Sequence, residues 1–362
     1  MTSLLHYTHS FKLVMDGSVF DAYAILENED LAKTMRLLCK YSSAIHTVGI
    51  TGSSIPIFWP DLSREFQEAF RDLIHLPTVT TLCLDNISGV PETILRGTNI
   101  SHIRFHLVKL FNPTPGLRPF FSLSQTDKLG DIDIDYTFPF SPDDSSSGSP
   151  FQPSLSNLRS LKYTFYHPED FQRFVNIALS LKSLEKINIL FSDSTSMFFQ
   201  GLGFDIPFNS LPLLRTLGIC HKSPIATGIR SPLLKVLDLL RCINALPPSL
   251  ETLVLGFVIR TNPPWLRLSE FFPEPKTWAL LDKLLSTERF GRVNTVQMRL
   301  QYVTLPGKPW SFDEAIFVER CRSCLEHVFP LLIASERTRK KIELDVAVFP
   351  LGRNVDVLAI DI

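Results

Sequence analysis

Three stretches of this sequence combine residue types and spacings that could do chemistry. Cys321, Cys324 and His327 form a C-x2-C-x2-H string, which offers three ligands to zinc. Asp131, Asp133 and Asp135 alternate, and on a strand they share one side at steps of about 7 Å, the arrangement needed for calcium or acid–base work. Gly201-Leu202-Gly203 is the third, a short glycine-rich stretch. Each also has a plainer reading. No second C-x2-C pair completes a tetrahedral zinc set, and a spacing of three repeats one face of the helix expected over Asp313 to Glu336. No basic or His partner is evident beside the aspartates, so they are expected to be solvated or partner-facing surface. The glycine pair lacks the third glycine and the following helix of a phosphate cradle, and reads as a loop. The strings G-x-S-x-G, H-E-x-x-H, G-x-x-x-x-G-K-[ST] and G-x-G-x-x-G do not occur. The sequence therefore points away from an enzyme, with no catalytic, cofactor-binding or metal site expected.

Composition narrows the class further. With 36 Lys+Arg against 37 Asp+Glu the net charge is −1, which removes the broad attraction that a general nucleic-acid binder exerts on phosphates. Hydrophobic residues at 44% and charged residues at 20% are those of a folded chain. Aliphatic runs such as Val328 to Ala334 fall short of a bilayer span, and Met1 to Asp16 lacks the pattern of a signal peptide. Six cysteines are too sparse for a disulfide scaffold. Cys39, Cys83, Cys220 and Cys242 sit in apolar runs as small hydrophobes. An intracellular, cytoplasmic or nuclear monomer with no membrane or nucleic-acid partner is expected.

The elements that must position any site are announced by a recurring phrase, L-x-x-L-x-L. It is clearest at Val79/Leu82/Leu84, Leu158/Leu161/Tyr163, Leu184/Ile187/Ile189, Leu214/Leu217/Ile219, Leu234/Leu237/Leu239 and Leu250/Leu253/Leu255. Weaker copies occur at Ile45/Val48/Ile50, Ile100/Ile103/Phe105, Leu129/Ile132/Ile134 and Val293/Val296/Met298, and Ile342, Leu344 and Val346 keep the alternation alone. From Val48 to Leu253 the central positions recur every 26 residues or so, within the range of about 20–29 for leucine-rich repeats. Alternate strand residues point to opposite faces, so the last two apolar residues bury together and the first joins them through the approach turn. One such unit cannot cover its own apolar face, whereas stacked parallel copies can. Leu76-Pro77, Leu211-Pro212, Ser231-Pro232 and Pro247-Pro248 supply feeding turns. Glu65 to Leu76 and Pro168 to Leu181 have helical spacing and suit the return side.

The phrase "LLKVLDLLRCINALPPSLETLVL", with Leu234, Leu237, Leu239 and Cys242, resembles the cysteine-bearing leucine-rich repeats of F-box proteins, especially the large families of mushroom-forming fungi. "LAKTMRLLCKYSSAIHTVGITG" is similar to the helix and first strand that follow an F-box in those proteins. The likeness runs from about residue 11 to 350, with degenerate motifs. Only Cys242 matches at the Asn/Cys ladder position, which Ile87, Tyr166, Ser192 and Lys222 occupy elsewhere. The resemblance implies substrate recognition in ubiquitin ligation. Residues 1–40 do not show an F-box, so a Skp-type adaptor and a cullin are implied only if such a module lies upstream. The alternative is a stand-alone repeat scaffold or regulatory protein, and an enzyme with a dispersed active site is a more distant one.

The fold expected is α/β, an irregular leucine-rich-repeat solenoid with parallel strands on the concave side and helices and loops on the convex side. A strand-helix cap is expected at 1–44, with the strand in "HSFKLVMDG" and one helix from about Glu27 to Lys40, followed by the repeat array at 45–310 and a helix-strand cap at 311–362. The Ser-rich stretch within 138–157 is expected to be a mobile loop, and 256–292 an enlarged repeat that packs Trp265, Phe271 and Phe272 on the core. A capping box at Ser311-Phe312-Asp313-Glu314 opens the last helix, and Arg337, Arg339, Lys340 and Lys341 suit its end. The outward strand positions are then Cys83, Arg104, Asp133, Lys162, Asn188, Gly218, Asp238 and Val254. Of these Arg104, Asp133, Lys162, Asn188 and Asp238 are the candidate partner-facing residues, since interspersed charge suits selective docking of a protein.

Overall fold

The computed structural model describes residues 7–15, 19–52, 56–91, 93–110, 128–135, 157–165, 169–192, 208–222, 232–243, 245–261, 275–304, 319, 323, 327, 329–334 and 341–350. The chain divides into two compact units, Met1–Thr164 with Asn176–Ser183, and Phe165–Val175 with Leu184–Ile362. The fold is mixed α/β, and eleven parallel strands belong to its large sheet.

In the first unit β1 (Ser10–Val14), β2 (Thr47–Thr51), β4 (Thr81–Asp85), β6 (His102–His106), β8 (Asp131–Asp135) and β9 (Ser160–Phe165) follow one another in the sheet, each parallel to the next. Short strands β3 (Ile57–Phe58), β5 (Ile87–Val90) and β7 (Lys109–Leu110) form a second parallel sheet. Gly89 in β5 has φ 76°, and a Cβ there would meet Pro60 Cδ at 2.6 Å, so both its backbone and its neighbour require glycine. Among the described residues three α-helices lie wholly within the unit. The first is α1 (Val19–Leu26), and α2 (Glu29–Tyr41) starts at Asn28, whose side chain accepts from Asp30 N at 2.8 Å. α3 (Arg64–Ile74) starts at Ser63, which accepts from Phe66 N. It buries Phe66, Ala69, Phe70, Leu73 and Ile74, and Trp59 meets Phe70 edge-on at 5.7 Å.

In the second unit β10 (Lys186–Ser192), β11 (Thr216–Lys222), β12 (Thr252–Thr261), β13 (Thr295–Thr304) and β14 (Lys341–Pro350) are parallel in chain order. Helix α4 (Glu169–Ser180) contributes residues to both units. Between the later strands run α5 (Pro232–Cys242), α6 (Pro275–Leu285) and α7 (Pro330–Ala334), with α5 packed on β11 and on α6, and α6 on α7.

The apolar phrase is buried as its spacing demands. Ile45, Val79, Ile100, Leu158, Leu184 and Leu214 are fully buried, and so are the strand residues that follow, such as Leu82 and Leu84 or Leu217 and Ile219. At about 1.5–3 kcal/mol per buried aliphatic side chain, these rows supply the main cohesion of each unit. The approach to the strands is equally regular. The carbonyls of Leu76, Leu211, Pro247 and Phe290 accept the N–H of Val79, Leu214, Leu250 and Val293, which closes a turn on the first apolar residue. One residue before the strand, a carbonyl accepts two successive N–H groups from the next copy. His46 serves Thr80 and Thr81, Thr80 serves Ser101 and His102, Ser101 serves Gly130 and Asp131, and Arg215 serves Glu251 and Thr252.

Three expectations change. Leu234, Leu237, Leu239 and Cys242 lie on α5, not on a strand, so the spacing from Leu217 to Leu253 is one copy whose return segment is helical. A spacing of three is also one helical turn, Pro232 suits a first helical position, and Leu233, Val236, Leu237 and Leu240 bury one face. Residues 27–40 form α2 from Glu29 onward, and a separate helix α1 precedes it. Lys341 opens β14 rather than closing a helix, and its ammonium pairs with Glu343 at 2.6 Å. The residues expected in the Ser-rich loop up to Ser156, Trp265, Phe271 and Phe272, the Ser311–Glu314 box, Cys321, Cys324, Arg337, Arg339 and Lys340 lie outside the described residues. No helix among the described residues is long and apolar enough to cross a membrane.

Candidate functional site

The register of the first unit builds a charged cluster on the outward side of its sheet. Arg104 pairs in register with Asp133, and Asp133 with Lys162, so one pleat row carries cation, anion and cation. The Lys162 ammonium lies 3.0 Å from Asp133 Oδ2, and the Arg104 guanidinium 3.9 Å from the same oxygen. His106, two residues beyond Arg104 on the same face, donates from Nε2 to Asp133 Oδ1 at 2.9 Å. One row below, His102 Nε2 meets Asp131 Oδ2 at 2.5 Å.

Depth grades this cluster. The His102 and Asp131 side chains are about half exposed, Arg104, Asp133 and Lys162 are largely covered, and His106 is 2% exposed. Burial by itself pushes the Asp133 carboxyl up. The His106 imidazole, the Lys162 ammonium, the hydrogen bond from His106 and the Arg104 guanidinium outweigh that and bring it down to about 2. Asp133 is thus an anion throughout the physiological range, held in place by three groups from β6 and β9. Asp135, fully buried, accepts the backbone N–H of Leu107 at 2.8 Å and holds that residue at φ 52° just past β6. The carboxylate at the end of β8 thereby fixes the turn that ends the neighbouring strand. His106 Nδ1 is buried with no hydrogen-bond partner among the described residues.

The five candidate residues separate accordingly. Arg104, Asp133 and Lys162 come together. Asn188 lies in β10 of the second unit and is 4% exposed, so this chain does not present it to solvent. Val254 at 1% is also buried, as is Gly218. Parallel strands covered on both faces run apolar throughout, as "LVLGFV" in β12 does, so an outward position in the second unit is not an exposed one. Asp238 stands on α5 and pairs with Arg241 one turn later at 3.4 Å. The three aspartates also differ from one another, since Asp131 is accessible, Asp133 is caged and Asp135 is a backbone ligand.

His102 and His106 were not singled out from the sequence. Their signal is there, since "HIRFH" spaces them four apart, on one side of a strand, and the copy aligned on Ile103 sets Arg104 beside Asp133.

Elsewhere the chemistry is muted. Burial, with Asp72 nearby, pushes the Cys39 thiol up to about 11, and burial likewise raises Cys242, so neither is an activated nucleophile. His327 is exposed and its Nδ1 donates to Ser323 O at 2.7 Å. In the second unit a cleft of about 250 Å³ is lined by Leu246, Pro247, Pro248 and Val293 beside Glu288, Arg289 and Arg292. Arg289 is committed there to Leu240 O at 3.0 Å and to the Phe290 ring. Among the described residues no group of three or more His, Cys, Asp or Glu side chains is placed to hold a metal ion. No protein-family model matches the chain, and no curated protein matches it significantly.

Proposed function

We propose that this protein is a non-catalytic recognition module of the leucine-rich-repeat kind, and that the outward strand face of its first unit docks another protein. The Arg104–Asp133–Lys162 row carries the reading. It sets charges of both signs in fixed register, with Asp133 ionised and the flanking His102–Asp131 pair open to solvent. Such an arrangement selects a partner by complementary charge order and excludes a plain polyanion. The repeated strands and two-on-one carbonyl turns support the repeat reading. By resemblance to the F-box proteins, the partner is a substrate for ubiquitin ligation. A stand-alone scaffold is the nearest alternative.

The test is quantitative copurification from the protein's own cells, comparing wild type with Arg104→Glu, Asp131→Lys and Arg292→Glu. Loss of the same specific proteins in the first two but not the third supports the docking face, and equal recovery in all refutes it. A Skp-type adaptor and a cullin in the wild-type set support ligase membership, and their absence favours the scaffold.

A second reading is favoured by one observation. His106 and Asp133 form a buried imidazole–carboxylate pair, the orienting half of a general-base system. His106→Gln separates the two, since it removes a base while leaving Arg104, Asp131 and the exposed rim in place.

A further inference from the structure

At the entry to β6 the exposed histidine of the sheet face also engages a hydroxyl. Ser101, the residue before the strand, is half-buried beside exposed His102, and His102 pairs in register with Asp131 across β6 and β8. The backbone holds all three in place. Thr80 O accepts from Ser101 N at 2.8 Å and from His102 N at 3.0 Å, and Ser101 O in turn accepts from Asp131 N at 3.1 Å. The sheet therefore sets where the three side chains start.

Their hydrogen bonds run in one direction. The Asp131 carboxylate only accepts, so His102 Nε2, 2.5 Å from Oδ2, carries the proton of the neutral ring. The ring lone pair is then on Nδ1, and Ser101 Oγ, 2.8 Å away, donates its proton to it. The competing acceptor, Thr80 O, is more distant from Oγ at 3.5 Å. A carboxylate that orients an imidazole, and an imidazole that accepts from a hydroxyl, are the parts that turn a serine into a nucleophile.

We infer that Ser101 is an activated nucleophile that takes an acyl group from a small activated ester. Oγ attacks the carbonyl carbon while its proton passes to His102 Nδ1. The ester C–O bond then breaks, the leaving oxygen takes that proton, and an O-acyl serine and a neutral imidazole remain. Asp131 is a positioning residue that fixes the tautomer. The neighbouring backbone N–H groups of Ser101, His102, Gly130 and Asp131 are all bonded within the sheet, so they do not stabilise the developing oxyanion. The step is therefore a single acylation and not a turnover, which leaves the recognition role intact and does not depend on it.

The experiment exposes the full chain to p-nitrophenyl acetate at neutral pH, quenches it in acid and locates the acetyl group by peptide mass spectrometry. Acid hydrolyses acetyl-imidazole and spares acetyl-serine, so the serine product is the one read. Expected is acetylation of Ser101 about a hundredfold faster than in the urea-unfolded chain, slowed by a similar factor in His102→Gln. Asp131→Asn is expected to slow it too, and His102→Gln in that background to change little further, because the relay is already broken. Unchanged melting temperatures confirm that the variants fold. The assignment is overturned if Ser101 labels no faster than in the unfolded chain, if His102→Gln labels at the wild-type rate, or if the acetyl group sits on another hydroxyl instead.

Discussion

The Asp133 carboxylate accepts a hydrogen bond from His106 Nε2 at 2.9 Å although the two residues are not in register. Asp133 pairs with Arg104, and His106 reaches diagonally along its own strand to the same oxygen pair, while Lys162 closes from the other side. One carboxylate thus ties three consecutive strands, β6, β8 and β9, on the face opposite the apolar core.

This tie is pH-dependent in a defined direction. The folded Asp133 carboxyl, at about 2, lies below its ordinary value of 3.8, so its contribution is complete above about pH 4 and lost as the pH falls to about 2. The difference corresponds to about 2 kcal/mol. Urea denaturation from pH 2 to 6 is expected to show that loss in wild type and a flatter profile in Asp133→Asn, which is less stable by a similar amount at pH 6. Parallel profiles would contradict the tie.

Close packing in the second unit is tested at Gly256. This residue pairs in register with Cys220, and a Cβ there would lie 2.8 Å from Cys220 Sγ. Gly256→Ala is expected to cost about 1–3 kcal/mol through overpacking. In a Cys220→Ala background the same change is expected to be neutral or slightly stabilising, because alanine is better than glycine inside a strand. A double-mutant cycle on thermal unfolding reads the coupling, and additive effects would argue against this contact.

Asp282 anchors α7 from a distance. Its carboxylate, 1% exposed, accepts Leu331 N at 2.8 Å and Leu332 N at 3.0 Å. Removing both acceptors in Asp282→Ala is expected to cost about 2 kcal/mol, and Asp282→Asn, which retains one acceptor oxygen, about half of that. Trp278 stands edge-on to Phe329 at 5.4 Å, next to this helix, so its fluorescence reports the loosening directly.

The strand phrases were legible in the sequence because their signal is local. The first apolar residue of a copy, as at Val79 or Leu214, and the alternating pair after it bury whatever the neighbouring copy contains. That pattern, repeated along the chain, was enough for parallel strands, and Glu65 to Leu76 was enough for α3. It was not enough at Leu234, Leu237 and Leu239, where an interval of three belongs equally to an approach turn and to a turn of helix. Only the pairing of β11 directly with β12 decides for the helix. The cage around Asp133 likewise required tertiary structure. Its partners lie about 30 residues away on either side, at 27 for His106, and proximity along the chain says nothing about them until the register sets the copies side by side. Exposure was the least legible property, since Asn188 and Arg104 occupy the same position in the phrase. Alternation tells which face a side chain takes, and only packing decides whether that face meets water.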